Sequence, residues 1–294
     1  MILRKTILST VLLLAVVAAH PVFAAECAFA EFTEDGLSFE GTICDDGTAA
    51  HIKFSLDTGE SFEGLAKDGK TPHGHGKLVN SDGTLIEGFF QDGDILQGII
   101  TRSDGHVEEG TFRDDELIEG RITYAEGSIR EGSFRDEKLN GQGKIIYTDG
   151  GIREGTFRDE KLNGQGITIF ANGQTQEGQF RDNKLNGEGR IKLNDNYTES
   201  GTFRDGNLVE GKITFGNQDY LRGTFRNKEL SNGTFKTTEG SNVYTGRIEY
   251  GEIVNSSCYN ETRNRTCGGR SKSQEIDDTA NAIANLLSAI ILAK

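Results

Sequence analysis

The chain has 294 residues, a formal charge of −14 and 34% hydrophobic residues, with 39 glycines against two prolines and no tryptophan. So acidic a chain repels phosphate backbones and anionic headgroups, which argues against nucleic acid as a partner and against a basic membrane-docking patch. Abundant glycine with almost no proline excludes collagen-like and proline-rich classes, so the glycines need a positional explanation.

The first element in chain order is a leader. Arg4 and Lys5 precede the apolar run TILSTVLLLAVVA, and VFA offers small residues for cleavage. The run is short for a spanning helix and reads as a secretory signal over residues 1–24, cut near Ala24, which predicts a secreted or periplasmic protein. Cys27, Cys44, Cys258 and Cys267 are then disulfide candidates with three possible connectivities. The segment CAFAEFTEDGLSFEGTIC favours one of them. Asp35-Gly36 is a pair that two-residue type I′ hairpins prefer. Centring the turn there sets Phe32 against Phe39, Ala30 against Gly41, and Cys27 against Cys44 in a non-hydrogen-bonded position, where Cα atoms approach within disulfide reach.

A repeat runs from Gly41 onward. Guide glycines stand at Gly41, Gly64, Gly88, Gly110, Gly132, Gly155, Gly178, Gly201, Gly223 and Gly246, every 22 to 24 residues. Each unit holds two β-rich runs, such as IREGTFRD and LNGQGITIF, separated by Asp/Asn/Gly punctuation, which is a hairpin signature. The third residue of the SDG, TDG and ANG loops falls where a three-residue hairpin loop needs a left-handed backbone. The fold class that follows is an all-β repeat, an elongated single-layer antiparallel meander of about ten stacked β-hairpins.

Alternation assigns the faces. Phe112, Phe134, Phe157, Phe180, Phe203 and Phe225 each stand two residues after a guide glycine, hence on its face, and Tyr147 and Phe170 join them from the second strands. Gly164 is expected opposite Phe180, and Gly166 opposite Gly178, so that a ring can cover a missing side chain. The other face carries Glu131, Glu154 and Glu177 with Arg135, Arg158 and Arg181, a solvated surface of cross-strand ion pairs.

These first strands (EGTF) and second strands (NGQG…IIY), recurring between Gly41 and Val254, resemble the membrane occupation and recognition nexus (MORN) repeat. The resemblance implies rods or grooves of stacked hairpins that bind proteins, self-associate or contact lipid, with no single chemistry.

The chain thus divides into a signal at 1–24, a repeat rod at 25–254, a polar loop at 255–273 and a helix at 274–294. The ends of a rod lie far apart, so Cys258 is expected to pair with Cys267 inside the loop. Ile276, Ile283, Leu286, Leu287, Ile290 and Ile291 recur at helical spacing behind a Ser271-x-x-Gln274 capping box, which predicts an amphipathic helix lying on the sheet.

Chemistry is sparse. His73 and His75 share a strand face but have no third ligand nearby, and Asp92, Asp94, Asp114 and Asp115 read as turn residues. The GxG strings lack the strand–loop–helix context of a phosphate site, and the carboxylates recur as rails where catalysis needs a singular constellation. Asn196, Asn232, Asn255, Asn260 and Asn264 begin Asn-x-Ser/Thr triplets. The expectation is an exported, non-enzymatic scaffold without metal or cofactor, working through a protein partner or self-association. The six phenylalanines with Tyr147 and Phe170 are its candidate interaction face. The alternative is an envelope-associated module for lipid or glycan.

Overall fold

A computed structural model describes residues 27–44, 50–267 and 272–292, with helix side chains described at 274 and 276–285. The expected leader and the capping Ser271 lie outside the described residues, as do the side chains of Leu286, Leu287, Ile290 and Ile291. Among the described residues, 22 strands follow one another in a single open antiparallel meander with one helix near the C-terminus. Two compact units divide at Asn140/Gly141.

The first unit holds β1 (Cys27–Glu34), β2 (Leu37–Cys44), β3 (Ala50–Leu56), β4 (Ser61–Lys67), β5 (Thr71–Val79), β6 (Leu85–Gln91), β7 (Asp94–Thr101), β8 (Val107–Arg113), β9 (Glu116–Thr123) and β10 (Ile129–Arg135). The dividing point falls inside β11 (Lys138–Ile146). The second unit continues with β12 (Ile152–Arg158), β13 (Lys161–Ile169), β14 (Thr175–Arg181), β15 (Lys184–Asn194), β16 (Tyr197–Arg204), β17 (Asn207–Phe215), β18 (Tyr220–Arg226), β19 (Glu229–Glu239), β20 (Asn242–Glu249), β21 (Glu252–Asn260) and β22 (Arg265–Thr266), then α1 (Lys272–Leu292).

Two kinds of hairpin turn alternate. In the first, Tyr147 N–H donates to the Gly151 carbonyl at 2.8 Å and Gly150 N–H to the Tyr147 carbonyl at 3.0 Å, closing a three-residue loop with Gly150 at φ 87°. The middle loop residue accepts from the N–H two positions on, Asp149 from Gly151 at 2.8 Å and Asn172 from Gln174 at 3.0 Å. That is why the loops read TDG, ANG and SDG. The second kind is a two-residue turn with both residues left-handed, as at Asp159 (48°) and Glu160 (64°), the type I′ geometry that matches strand twist. These turns also bond across repeats, Asn183 N–H to the Leu162 carbonyl at 3.1 Å and Gly206 N–H to that of Leu185 at 2.9 Å.

Glycine faces glycine across the strands. Gly143, Gly155, Gly166, Gly178, Gly189, Gly201, Gly211, Gly223 and Gly233 form an unbroken line in the second unit, and Gly64 through Gly132 form its counterpart in the first. A Cβ on Gly155 would stand 2.5 Å from the Gly166 Cα, inside any van der Waals contact. The ring-over-glycine arrangement holds at Phe62, whose Cε2 lies 2.6 Å from where a Gly76 Cβ would be, and at Phe235 over Gly246. In the central repeats, close backbone approach and leucine methyl groups account for the glycine instead. Leu162 Cδ2 would meet a Gly166 Cβ at 3.0 Å.

Repeat length follows from one bulge. Where the second strand reads Leu-x-Gly-x-Gly, four positions separate Leu162 from Gly166 while their partners Phe157 and Gly155 are two apart. Where it reads Leu-x-x-Gly, as at Leu117–Gly120, the bulge holds one residue fewer. The extra glycine of the longer form is absorbed there, which separates the 22-residue intervals that begin at Gly88, Gly110 and Gly201 from the 23-residue ones that begin at Gly132, Gly155 and Gly178.

The C-terminal segment differs from expectation at its boundaries. Residues 255–260 are not loop but the second half of β21, paired with β20 from Asn255↔Arg247 to Asn260↔Asn242, and the helix begins at Lys272 rather than at 274. The strand continues because Ser256, Cys258 and Asn260 alternate with outward-facing neighbours, and Cys258 is buried at 4% exposure. Helix α1 contacts β19 and β21 and buries Thr279, Ala282 and Ile283, one helical face.

Candidate interaction surfaces

The phenylalanine file is internal. Phe112, Phe134, Phe157, Phe180, Phe203 and Phe225 are between 2% and 7% exposed. Phe112, Phe157, Phe180, Phe203 and Phe225 each pair directly with a buried leucine of the following strand, as Phe157 does with Leu162. They are therefore packing residues and offer no area to a partner in this conformation. Phe170 is 38% exposed, and Tyr147 is half-buried with the Arg153 guanidinium 5.4 Å from its ring centre. The registers place Gly164 against Phe180 and Gly166 against Gly178, as alternation predicts.

On the opposite face, ion pairs join neighbouring strands: Lys53–Glu63 at 3.4 Å, Lys77–Glu87 at 3.0 Å, Arg121–Glu131 at 2.9 Å and Lys144–Glu154 at 3.5 Å. All are well exposed, so each contributes at most a few tenths of a kcal/mol. Arg181 reaches Asp205 at 3.0 Å on the same surface.

Three large apolar side chains interrupt this charged face in the first unit. Leu65, Phe89 and Ile99 are 38%, 41% and 40% exposed. Phe89 pairs with His75 across β5 and β6, ring centres 5.4 Å apart and edge-on, and lies diagonal to Ile99, because Phe89 faces Gln97 and Ile99 faces Glu87. Leu65 lies over Gly74, whose Cβ would meet its Cδ1 at 2.9 Å. A signal for this patch exists in the repeat itself. The slot after each guide glycine is polar at Thr111, Ser133, Thr156, Gln179, Thr202 and Thr224, but holds Leu65 and Phe89 in earlier units. The slot of Ile99 holds Lys77, Arg121, Lys144, Arg190, Lys212 and Thr234 in other units and an isoleucine, Ile167, in one.

Three buried polar groups near the hairpin loops are satisfied locally. Glu108, 8% exposed, accepts from Arg102 Nε and Nη2 at 3.1 Å each and lies 3.2 Å from His106 Nε2. Burial works against the Arg102 charge, but the paired Glu108 carboxylate raises its pKa above the ordinary arginine value. Asp219, fully buried, accepts from Thr238 N–H and Oγ1, both at 2.8 Å, and from Asn217 Nδ2 at 2.7 Å. Tyr197 donates to Glu199 at 2.6 Å; burial first, then that carboxylate, push the phenol's pKa upward. Such closed pairs fix loop ends and leave no reactive group poised.

His73 lies 3.5 Å from Asp92 while His75 packs on Phe89, so the two diverge. Asp92, Asp114 and Asp115 occupy left-handed turn positions, and Asp94 opens β7. Among the described residues, no group of three or more His, Cys, Asp or Glu stands together as a metal site. Both expected disulfides form, Cys27–Cys44 in the hairpin register with Cα atoms 4.1 Å apart and Cys258–Cys267 within the C-terminal segment with 5.4 Å. Of the Asn-x-Ser/Thr triplets, Asn196, Asn232, Asn255 and Asn264 are exposed and Asn260 half-buried. No described helix is long and apolar enough to cross a membrane.

Sequence comparison adds the family. No curated protein matches the chain. Residues 70–85, 131–152, 154–175 and 177–196 match the family model of the MORN repeat. Each matched stretch contains a two-glycine second strand, Gly74/Gly76, Gly141/Gly143, Gly164/Gly166 or Gly187/Gly189, and four unmatched hairpins carry the shorter form at Ile95–Gly98, Leu117–Gly120, Leu208–Gly211 and Leu230–Gly233. Four stretches of the chain are thus MORN repeats by sequence, and the hairpins at Ile95, Leu117, Leu208 and Leu230 are similar units with a second strand one residue shorter.

Proposed function

We propose that this chain is an exported, non-enzymatic scaffold that holds a protein partner on the charged face of its sheet, at the apolar patch of Leu65, Phe89 and Ile99. MORN repeats are consistent with a scaffold for protein or membrane interactions. The patch is the observation that carries the reading. Three apolar side chains of β4, β6 and β7 stand exposed on a mostly polar, ion-paired face, and the slots of Leu65 and Phe89 are polar in all later repeats while that of Ile99 is polar in all but one, where Ile167 stands. Exposed apolar clusters rimmed by charge mark interaction sites more often than stability. Four cysteines fully used in two disulfides support an oxidising compartment.

The test uses substitutions borrowed from the protein's own repeats. Phe89→Thr with Ile99→Arg copies Thr111 and Arg121 into the patch and is expected to leave the denaturation midpoint within experimental error. Cross-linking capture from the native envelope should recover a protein with the parent and lose it with the variant. Equal capture by both proteins places the partner elsewhere. Recovery of lipid or glycan in place of protein, checked with vesicles and cell-wall fragments, favours the envelope-binding alternative.

A further inference from the structure

The two ends of the meander have open edges, one an acidic strand and the other flanked by the basic Arg263/Arg265 turn. β1 pairs with β2, and among the described residues no strand pairs with its outer edge. The 4.1 Å Cα separation of Cys27 and Cys44 marks a non-hydrogen-bonded pair. By alternation, the backbone groups of Cys27, Phe29, Glu31 and Thr33 point outward, where no β2 group meets them. Phe29 is 64% exposed on this strand. At the other end, the two-residue β22 covers β21 at Tyr259 and Asn260 only, leaving Glu252 to Ser257 without an outer strand among the described residues. Val254 and Tyr259 are 44% and 41% exposed there.

Charge separates the ends. Between residues 27 and 52 stand Glu31, Glu34, Asp35, Glu40, Asp45 and Asp46, with no lysine or arginine. Between residues 252 and 272 stand Arg263, Arg265, Arg270 and Lys272 against Glu252 and Glu261, a basic segment in an acidic chain.

We propose that the acidic edge strand β1 of one copy adds to the open edge of β21 on a second copy, head to tail. This rests on the scaffold reading and names self-association as one of its modes. An exposed edge is a template for another strand, because its N–H and C=O groups lack partners. Like ends repel, since β1 against β1 sets carboxylates against carboxylates, and the Arg263/Arg265 turns repel each other in the same way. The acid-to-base combination alone attracts. The contact joins two different surfaces, so each added copy presents a fresh edge and growth continues beyond a dimer. One eight-residue strand is about 27 Å long, and pairing along it buries less than the roughly 1,600 Å² of a standard stable interface. Association should therefore be weak, concentration-dependent and sensitive to salt.

Sedimentation velocity on the purified processed protein tests this. The parent should show weight-average sedimentation coefficients that rise with concentration past the dimer value and fall back to monomer in about 0.5 M salt, several times the ionic strength at which the Debye length is about 8 Å. Glu31→Lys with Glu34→Lys should stay monomeric alone, because β1 itself then carries two lysines and no acid, set against the Arg263/Arg265 end of a second copy. Arg263→Glu with Arg265→Glu should also stay monomeric, because both its edges are acidic. An equimolar mixture should regain association, since each variant supplies the edge the other lacks. Rescue by mixing excludes misfolding as the cause of either loss. A parent that is monomeric at every concentration overturns the proposal, as does a fixed dimer indifferent to salt, or a charge variant that still associates alone. A monomeric parent that captures a partner through Phe89 and Ile99 would leave the scaffold reading intact and remove only this inference.

Discussion

Residue 155 shows what a single hydrogen in place of a side chain permits. Gly155 sits at φ 142°, with the Gly166 Cα where a methyl group would go. Gly155→Ala meets both an unfavourable backbone and a filled space, costing about 2–3 kcal/mol from backbone strain alone. Phe157, two residues on and 2% exposed, loses its leucine contact when truncated, and Phe157→Ala should cost about 3 kcal/mol, in the range for a core aromatic. Denaturant midpoints measure both, and a midpoint equal to the parent's refutes the packing account at that position. Loop carboxylates give a pH signature. Asp82 accepts from the Thr84 N–H at 2.9 Å, and this bond, before any contribution from the Thr84 hydroxyl, holds its pKa below the ordinary carboxylate value. A depressed folded pKa contributes stability that is present above the unfolded value near 3.9 and is lost as pH falls through the folded one. Asn172 does the same work in its loop without titrating. Asp82→Asn should therefore be neutral at pH 7 and flatten the stability profile below about pH 4, read by thermal melts in a pH series.

Elements were legible where the residue type itself names the geometry. Asp35-Gly36 and the TDG and ANG loops announce their turns through glycine, and their registers follow by counting. The turns at Asp159-Glu160 and Asn227-Lys228 were placed by their polar residues but their type was hidden, because neither contains glycine although both residues are left-handed. That the phenylalanines pack was legible, but their full burial under leucines was hidden for a related reason. The cover comes from the leucine beyond a bulge, and a bulge breaks the period of two on which face assignment relies. The patch at Leu65, Phe89 and Ile99 was readable only by comparing equivalent slots across repeats, not from any one strand. A turn without glycine predicts its own improvement. Lys228, exposed at φ 70° in the second turn position, is a site where Lys228→Gly creates Asn-Gly and should add about 0.5–1 kcal/mol, the left-handed penalty outweighing the entropy glycine costs. Helix α1 is tested at Ile283, 8% exposed beside Thr279 and Ala282. Ile283→Ser should expose amides of β19 and β21 to faster hydrogen exchange, while unchanged protection there would mean that the helix does not cover them.

At the scale of the molecule, the repeats behave as a linear series of couplings. Each hairpin pairs with its neighbours in sequence, the glycine line continues from strand to strand, and turn-to-turn bonds such as Asn183 to Leu162 join consecutive repeats. Stability is then a sum of repeat terms and nearest-neighbour interfaces, which sets a sharp rule for shortening the chain. Removing Gly155 to Glu177, one interval of 23 residues, joins Glu154 to Gly178 and regenerates IREGQFRD, a first strand in the proper phase. Gly178 then meets Gly143 as Gly155 does now, Phe180 takes the place of Phe157, and Leu185 follows as its cover. Removing half of that interval leaves two first strands in succession, with phenylalanines and no leucine between them. The 23-residue deletion should fold, keep both disulfides by non-reducing peptide mapping, and unfold with a urea m-value reduced in proportion to the lost surface. The half-interval deletion should lose the β signal in far-UV circular dichroism or unfold at far lower denaturant. A folded half-interval variant as stable as the whole-interval one would show that strand phase is not what couples the repeats, and the glycine line would then need another explanation.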